Sequence, residues 1–475
     1  MSLDYDLVII GNTLEAFFAA LEAIQLKARV ALVLGDNNDY SYQEVDRLIF
    51  ECLIKLKQKS QFLKEFNLDF EPSLGLYLSQ IERWKNEVKR DMEIDNNLEQ
   101  LANLGVDVIQ ESGEFCRLPK LGFVLKNRTL RSRRYILARK SISVIPEIQG
   151  LAEVGYLTTE RLDINQLPNR LAVVSQTPSG IELAQQLNSL GKQIVLIIKS
   201  STILPQEDPD IEQLIQAILE AEGIKILINS SITQVKKIED ETWIQAGNEA
   251  IQIDEIIITN GIEQDTKDLN LEGVQVKVEA NKIKTNERLQ TTNPKIYACG
   301  QGMNSSYLSN LAQYEASVAV KNAIFFPIFK TNYEHYPMRI ITNPIFSRVG
   351  LTETKARQKY NRDLIVIKEN YNTLLKAKIL DETTGFCKII TRTNGTILGC
   401  QIIGYQSDEI INIVALAMKN KLKIKQISQL FPPYGTASEM IAKISRQWQI
   451  QKRQNNRFIN NYLETLLFWR RKWTK

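Results

Sequence analysis

A single histidine, His335, serves 475 residues, so a metal centre built from several imidazoles is excluded at the outset. His335 reads as a lone surface side chain in a connector before Pro337. Cysteine is scarce too: Cys52, Cys116, Cys299, Cys387 and Cys400 are odd in number and form no C-x-x-C or C-x-x-x-x-C pair. A dithiol centre close in sequence is therefore absent, and each thiol is expected as a small buried apolar group. No uninterrupted apolar run approaches the ~18 residues of a membrane span, and the opening residues lack the pattern of a secretory signal. The expected location is cytoplasmic. Charge of one sign is missing as well, because 59 Lys plus Arg face 55 Asp plus Glu. A net charge of +4 gives no reason to expect a nucleic-acid partner.

What remains is an ordinary globular composition, 44% hydrophobic and 24% charged, long enough for two to four domains. Its most informative phrase is Leu171-Ala-Val-Val-Ser-Gln-Thr-Pro-Ser-Gly180-Ile-Glu-Leu-Ala184, which reads as strand, turn and helix. This is the frame of a dinucleotide site with most of its phosphate-binding glycines replaced. Leu7-Val-Ile-Ile-Gly11-Asn-Thr-Leu-Glu-Ala16 repeats the pattern, so two such frameworks are expected from an internal duplication. Residues 5–10, 14–26 and 29–34 form the first strand, helix and strand; residues 171–174, 181–190 and 193–198 form the second set. Residues 40–104 read as a helix-rich excursion, 133–143 and 148–157 as crossing segments, and 210–222 as a helix. From Pro337 onward strands dominate up to residue 391, and helices at 407–419 and 438–448 close the region.

These landmarks, in this order, resemble the pyridine nucleotide-disulphide oxidoreductase family over roughly residues 3 to 445. The best-kept phrases are Thr342-Asn-Pro344, Val349-Gly-Leu-Thr-Glu353, Thr384-Gly-Phe-Cys-Lys388 and Ile397-Leu-Gly-Cys-Gln-Ile-Ile-Gly404. The resemblance implies an α/β fold with two Rossmann-like domains, binding FAD and NAD(P), plus a C-terminal α+β dimerisation domain that builds a homodimer. It places an FAD-type domain at 1–150 and 263–330, an NAD(P)-type domain at 151–262, the dimerisation domain at 331–450, and an amphipathic basic tail at 451–475.

In the family's first fingerprint Gly11 matches, while Thr13 and Ala16 take the other glycine positions and Leu34 holds the place of a ribose-binding acid. A Cβ at Thr13 is expected to intrude where backbone and phosphate should nearly touch. Asp36 substitutes for the missing acid only if the turn is rebuilt. The family's later Gly-Asp corresponds to Gly300-Gln301. In the second fingerprint Ser175, Thr177 and Gly180 take the glycine positions, Lys199 and Ser200 favour NADP over NAD, and Gly261 keeps one glycine of a later turn. The resemblance puts Arg47 at a flavin-facing lysine's position and Glu182 at its acidic partner, so an ion pair and two separately solvated charges are both open readings. The family's dithiol segment corresponds to residues 35–48, which contain no cysteine, so disulphide reduction by that route is not expected. Tyr434 stands where the family has an acid-base histidine, and Glu439 where that histidine's orienting glutamate stands.

Two functions follow. One is an oxidoreductase passing electrons from NAD(P)H through FAD to a small acceptor without dithiol chemistry. The other is a non-catalytic dimeric scaffold that has lost cofactor binding. The tail alternates Phe, Ile, Tyr, Leu and Trp at helical spacing before Arg470, Arg471 and Lys472, the pattern of a helix lying peripherally on a membrane. Packing against the protein's own body explains the same spacing.

Overall fold

Tyr-Asp-Leu-Val-Ile-Ile, Tyr5–Ile10, is a strand with apolar side chains on both faces, which suits the middle of a parallel sheet. Leu7 and Ile9 enter one buried cluster, and Val8 and Ile10 enter another on the opposite side. The computed structural model describes residues 3–35, 98–279, 281–300, 309–454 and 457–473, with positions 47–49, 51, 52, 54–56, 59, 80 and 83–91. In it the strand is central to a five-stranded sheet ordered Ile296–Ala298, Ser132–Leu137, Tyr5–Ile10, Val30–Val33, Asp107–Ile109. Every neighbouring pair runs parallel. Helix Leu14–Gln25 presents Ala16, Ala19, Ala20 and Ala23 inward, small enough to let it pack closely with helix Ser309–Ile324 through Ala316, Ala319 and Ala323.

The second framework repeats this plan. Strands are ordered Lys225–Leu227, Gln193–Ile198, Arg170–Ser175, Glu255–Thr259, Leu157–Thr158, again all parallel. In each sheet the fingerprint strand lies between the strand that follows its helix and a strand from much later in the chain. That reversal of strand order is the switch point at which α/β sheets open a crevice.

Two expectations change. Residues 133–143 are not a simple crossing: Ser132–Leu137 is a full strand of the first sheet, and Ser141–Ser143 pairs antiparallel with Ile262–Gln264. Residues 148–157 give a short helix, Leu151–Val154, and the edge strand of the second sheet. The antiparallel sheet of Ile232–Ile238, Glu241–Ala246 and Glu249–Ile253 was not foreseen.

Contacts divide the chain into two units, Met1–Ser201 with Gly223–Asn332, and Thr202–Glu222 with Tyr333–Lys475. The second is built on an antiparallel sheet ordered Met338–Ile340, Phe346–Gly350, Ile397–Ile403, Phe386–Thr391, Ile365–Asn370. Cys387, Ile389, Cys400 and Ile402 share a buried cluster with helices Ser407–Lys419 and Glu439–Gln454. The intervening Lys388 and Gln401 are buried as well, on the other face of the sheet.

That face explains why Thr202–Glu222 falls with this unit and outside the domain expected at 151–262. Lys388, its side chain 2% exposed, reaches Asp210 at 2.6 Å, Asp208 at 3.0 Å and Glu353 at 3.5 Å. Asp208 also accepts from the backbone N–H of Glu353 at 2.7 Å and of Thr354 at 2.9 Å, capping the first turn of helix Glu353–Tyr360. Burial alone would raise the Asp208 carboxyl, but these donors outweigh it and hold it below its ordinary value. Beside it, Arg348 binds Glu207 at 2.9 Å and Gln401 donates to the same carboxyl.

Candidate functional site

At the end of the first central strand the chain turns through Gly11 at φ +146°, where a methyl group would stand 1.8 Å from the carbonyl oxygen of Ala138. Only glycine lets the turn pass so close to the neighbouring strand's terminus. Thr13 then caps helix Leu14–Gln25, its Oγ1 accepting from the Ala16 N–H at 3.3 Å. The same hydroxyl donates to the Ala138 carbonyl at 2.8 Å. The side chain expected to obstruct a phosphate is thus bonded back onto the sheet. Ala16 is fully buried and Leu34 nearly so.

Glu15, in the first helical turn, is buried, and its carboxyl lies beside Gly300, whose N–H donates to Glu315 at 2.7 Å. Burial, reinforced by the Glu315 charge, pushes the Glu15 carboxyl up and favours its uncharged form. Sequence reasoning missed this pair. The available signal was an acid on an otherwise alanine-rich helix face. Asp36 and Gln301 lie outside the described residues.

The second cradle repeats the first. Ser175 Oγ accepts from the Thr177 N–H at 3.0 Å, and Thr177 Oγ1 donates to the Thr259 carbonyl at 2.8 Å. In both sheets a threonine at the middle fingerprint position therefore bonds the terminus of the strand across the switch point. Gly180 lets helix Pro178–Ser189 press onto the sheet, since a methyl there would meet Ser175 Oγ at 2.1 Å. Lys199 is exposed just beyond strand Gln193–Ile198. Gly261, at φ +121°, follows strand Glu255–Thr259, and its carbonyl accepts from Val144.

Arg47 and Glu182 form the ion pair, which decides between the two readings left open above. The guanidinium donates through Nε at 3.1 Å and through Nη2 at 2.8 Å and 2.9 Å, and the Glu182 side chain is only 4% exposed. A planar fork of this kind fixes direction as well as charge. It joins the segment after the first framework to the fingerprint helix of the second, within one unit.

A flavin dinucleotide fits the first frame on these observations. A helix N-terminus opens at the carboxyl end of the central strand, and Thr13 is folded back onto the Ala138 carbonyl.

Elsewhere the candidate residues separate. In the second unit Glu439 accepts from the Gly435 N–H at 2.6 Å, while Tyr434 is 82% exposed; among the described residues no hydrogen bond joins the two. Glu439 therefore secures its own loop and does not orient Tyr434. Of the cysteines, Cys299, Cys387 and Cys400 are buried as expected, but Cys116 is half-buried and Cys52 exposed. Cys387 and Cys400 lie 3.8 Å apart on adjacent strands, fully enclosed, and their mutual contact together with burial pushes the Cys387 thiol well up, disfavouring the reactive thiolate. A cavity of about 380 Å³ in the same unit, lined by His335, Leu351, Tyr360, Leu398 and Met418 among others, includes none of the candidate residues.

A family model described as pyridine nucleotide-disulphide oxidoreductase matches residues 5–320, and one for that family's dimerisation domain matches 336–444. A mercuric reductase from Bacillus cereus is 27% identical over 451 residues, spanning 92% of this chain and 70% of that protein. The probable pyridine nucleotide-disulfide oxidoreductase RclA of Escherichia coli (strain K12) is 26% identical over 346 residues, 70% of this chain and 77% of its own length. Among solved structures, LpdA from Mycobacterium tuberculosis superposes with a TM-score of 0.82 at 20% identity, covering 93% of this chain and 99% of its own. At that identity the likeness speaks for the fold.

Proposed function

The chain belongs to the pyridine nucleotide-disulphide oxidoreductase family, whose members are FAD- and NAD(P)-dependent oxidoreductases, and on that premise we propose that it is an NAD(P)H-oxidising flavoprotein that works without a neighbouring dithiol. The observation that carries this reading is the Arg47–Glu182 pair. The enclosed carboxylate and its two-pronged grip hold the guanidinium's charge in one fixed place. The pair occupies the position the resemblance assigns to the flavin-facing pair.

Gly11, the N-terminus of helix Leu14–Gln25 and Gly300 would hold the dinucleotide. When bound, the flavin would supply hydride acceptance from a nicotinamide and onward electron transfer to a small acceptor such as a quinone or oxygen, chemistry that needs no protein thiol. Arg47 cannot release its proton near neutrality, so its part is a fixed positive charge oriented by Glu182. The dimerisation domain supports a homodimer as the working form.

The purified protein tests this directly. A yellow preparation whose flavin absorbance is bleached anaerobically by NADPH is the expected result. A colourless protein that takes up no added FAD would sink the reading and leave a scaffold role.

Exposed Lys199 supports NADPH as the preferred donor, because an ammonium there suits a 2′-phosphate. Lys199→Glu is expected to lower the ratio of kcat/KM for NADPH over NADH by about tenfold or more. An unchanged ratio in steady-state assays would remove Lys199 from the site.

A further inference from the structure

The final helix, Arg457–Trp473, lies beyond the segment matched by the dimerisation-domain model, which ends at 444. Leu463, Leu466, Leu467, Trp469 and Trp473 fall within one half of its circumference, by the 100° step of an α-helix, an arc that Arg470 shares near the helix end, while Phe468 stands on the opposite side. All six apolar side chains are exposed, from 42% at Leu463 to 85% at Trp473. An apolar helix face of this size, left in water, calls for an occupant.

Charge says what kind. The last 30 residues hold eight Lys or Arg (Arg446, Lys452, Arg453, Arg457, Arg470, Arg471, Lys472 and Lys475) against one acid, Glu464, a local net charge of +7. The whole chain is only +4, so the first 445 residues are −3. Two copies meeting through this face would bring two strongly positive segments together, which opposes self-association. An anionic surface is favoured instead. Trp469 and Trp473 stand beside Arg470, Arg471 and Lys472, and the Lys472 ammonium lies 4.7 Å from the Phe468 ring centre. Amphipathic aromatics next to cations suit the headgroup level of a bilayer. Among the described residues no helix is long and apolar enough to cross a membrane.

We propose that Arg457–Trp473 is an in-plane anchor that binds the protein peripherally to an anionic lipid surface, its leucines and tryptophans entering the acyl boundary and its Arg-Arg-Lys cluster meeting lipid phosphates. This reading is independent of whether the protein carries flavin.

Flotation of the full-length protein with phosphatidylcholine vesicles, with and without about one-third phosphatidylglycerol, tests it. Binding to the anionic vesicles only, weakened by added salt, is expected. Replacing Arg470, Arg471 and Lys472 together by Gln should weaken that binding about 100-fold. Leu466→Glu with Leu467→Glu should abolish it with the basic cluster intact. All these positions are at the surface, so each variant keeps the fold. No flotation with either vesicle, or equal flotation of wild type and both variants, overturns the proposal. So does a loss of oligomer size in the leucine variant with vesicle binding unchanged, which would assign the face to a second protein copy.

Discussion

Lys388→Met is expected to cost the protein about 3–5 kcal/mol, because it strands Asp208 as a buried charge without its cation. Both side chains are 2% exposed, so solvent does little to soften the loss. Asp210 keeps its second partner, Lys368 at 2.9 Å, and is the less affected acid. The readout is the urea midpoint of the C-terminal unit, followed by near-ultraviolet circular dichroism. Pairing the change with Asp208→Asn should recover a substantial part of the loss, since an amide is cheaper to bury than an unpaired carboxylate.

The pH dependence has a definite sign. Against the opposing effect of burial, hydrogen bonds hold Asp208 and Asp210 below the ordinary 3.8, so their contribution is present above that value and lost as pH falls through the folded-state values. Lys388 is likewise raised above 10.5 despite burial, so its contribution is present below 10.5 and lost as pH rises through the folded value. The cluster therefore contributes fully across the neutral range. The Lys388→Met deficit should shrink in acid, where Asp208 takes up a proton. A deficit that is constant from pH 7 to about 3 would mean the lost energy was packing and not charge.

Arg47→Leu should have the largest effect on chemistry, slowing NADPH-dependent bleaching of bound flavin by about 100-fold, the scale seen when a fixed electrostatic partner is removed from an enclosed site. Arg47→Lys keeps the charge and should retain most of the rate, though a point charge lacks the two-pronged grip on Glu182. Stopped-flow absorbance separates the two variants. Equal rates for wild type and Arg47→Leu would disconnect the pair from flavin reduction. The pair's structural share is measured separately: leaving Glu182 buried without a cation should cost about 3 kcal/mol in unfolding free energy.

Both frameworks were legible in the sequence because they are built from local pattern. A β-branched run followed by a turn and an amphipathic helix reads the same wherever it folds, and Tyr5–Ile10 and Arg170–Ser175 both came out as central parallel strands. The Arg47–Glu182 pair was visible only through the family register, since 135 residues separate its members. Other features depended on partners no local pattern names. Ser132–Leu137 carries three polar residues at its start, which masked a strand that burial in the first sheet imposes. Lys388 sits in a strand whose six residues are all buried, a visible anomaly, but its shortest carboxylate contact, Asp210, lies 178 residues away. Glu439 kept the family's residue type while its carboxylate turned to the Gly435 N–H, so identity at a position did not carry the role.

The twin threonine bonds, Thr13 to Ala138 and Thr177 to Thr259, have a consequence for loading. Each loop owns the stitch that keeps its shape, so it has no need of a guest to become ordered. A dinucleotide arriving there would find its berth already set and would pay little to organise it. Equally, it could depart without the surrounding sheet slackening.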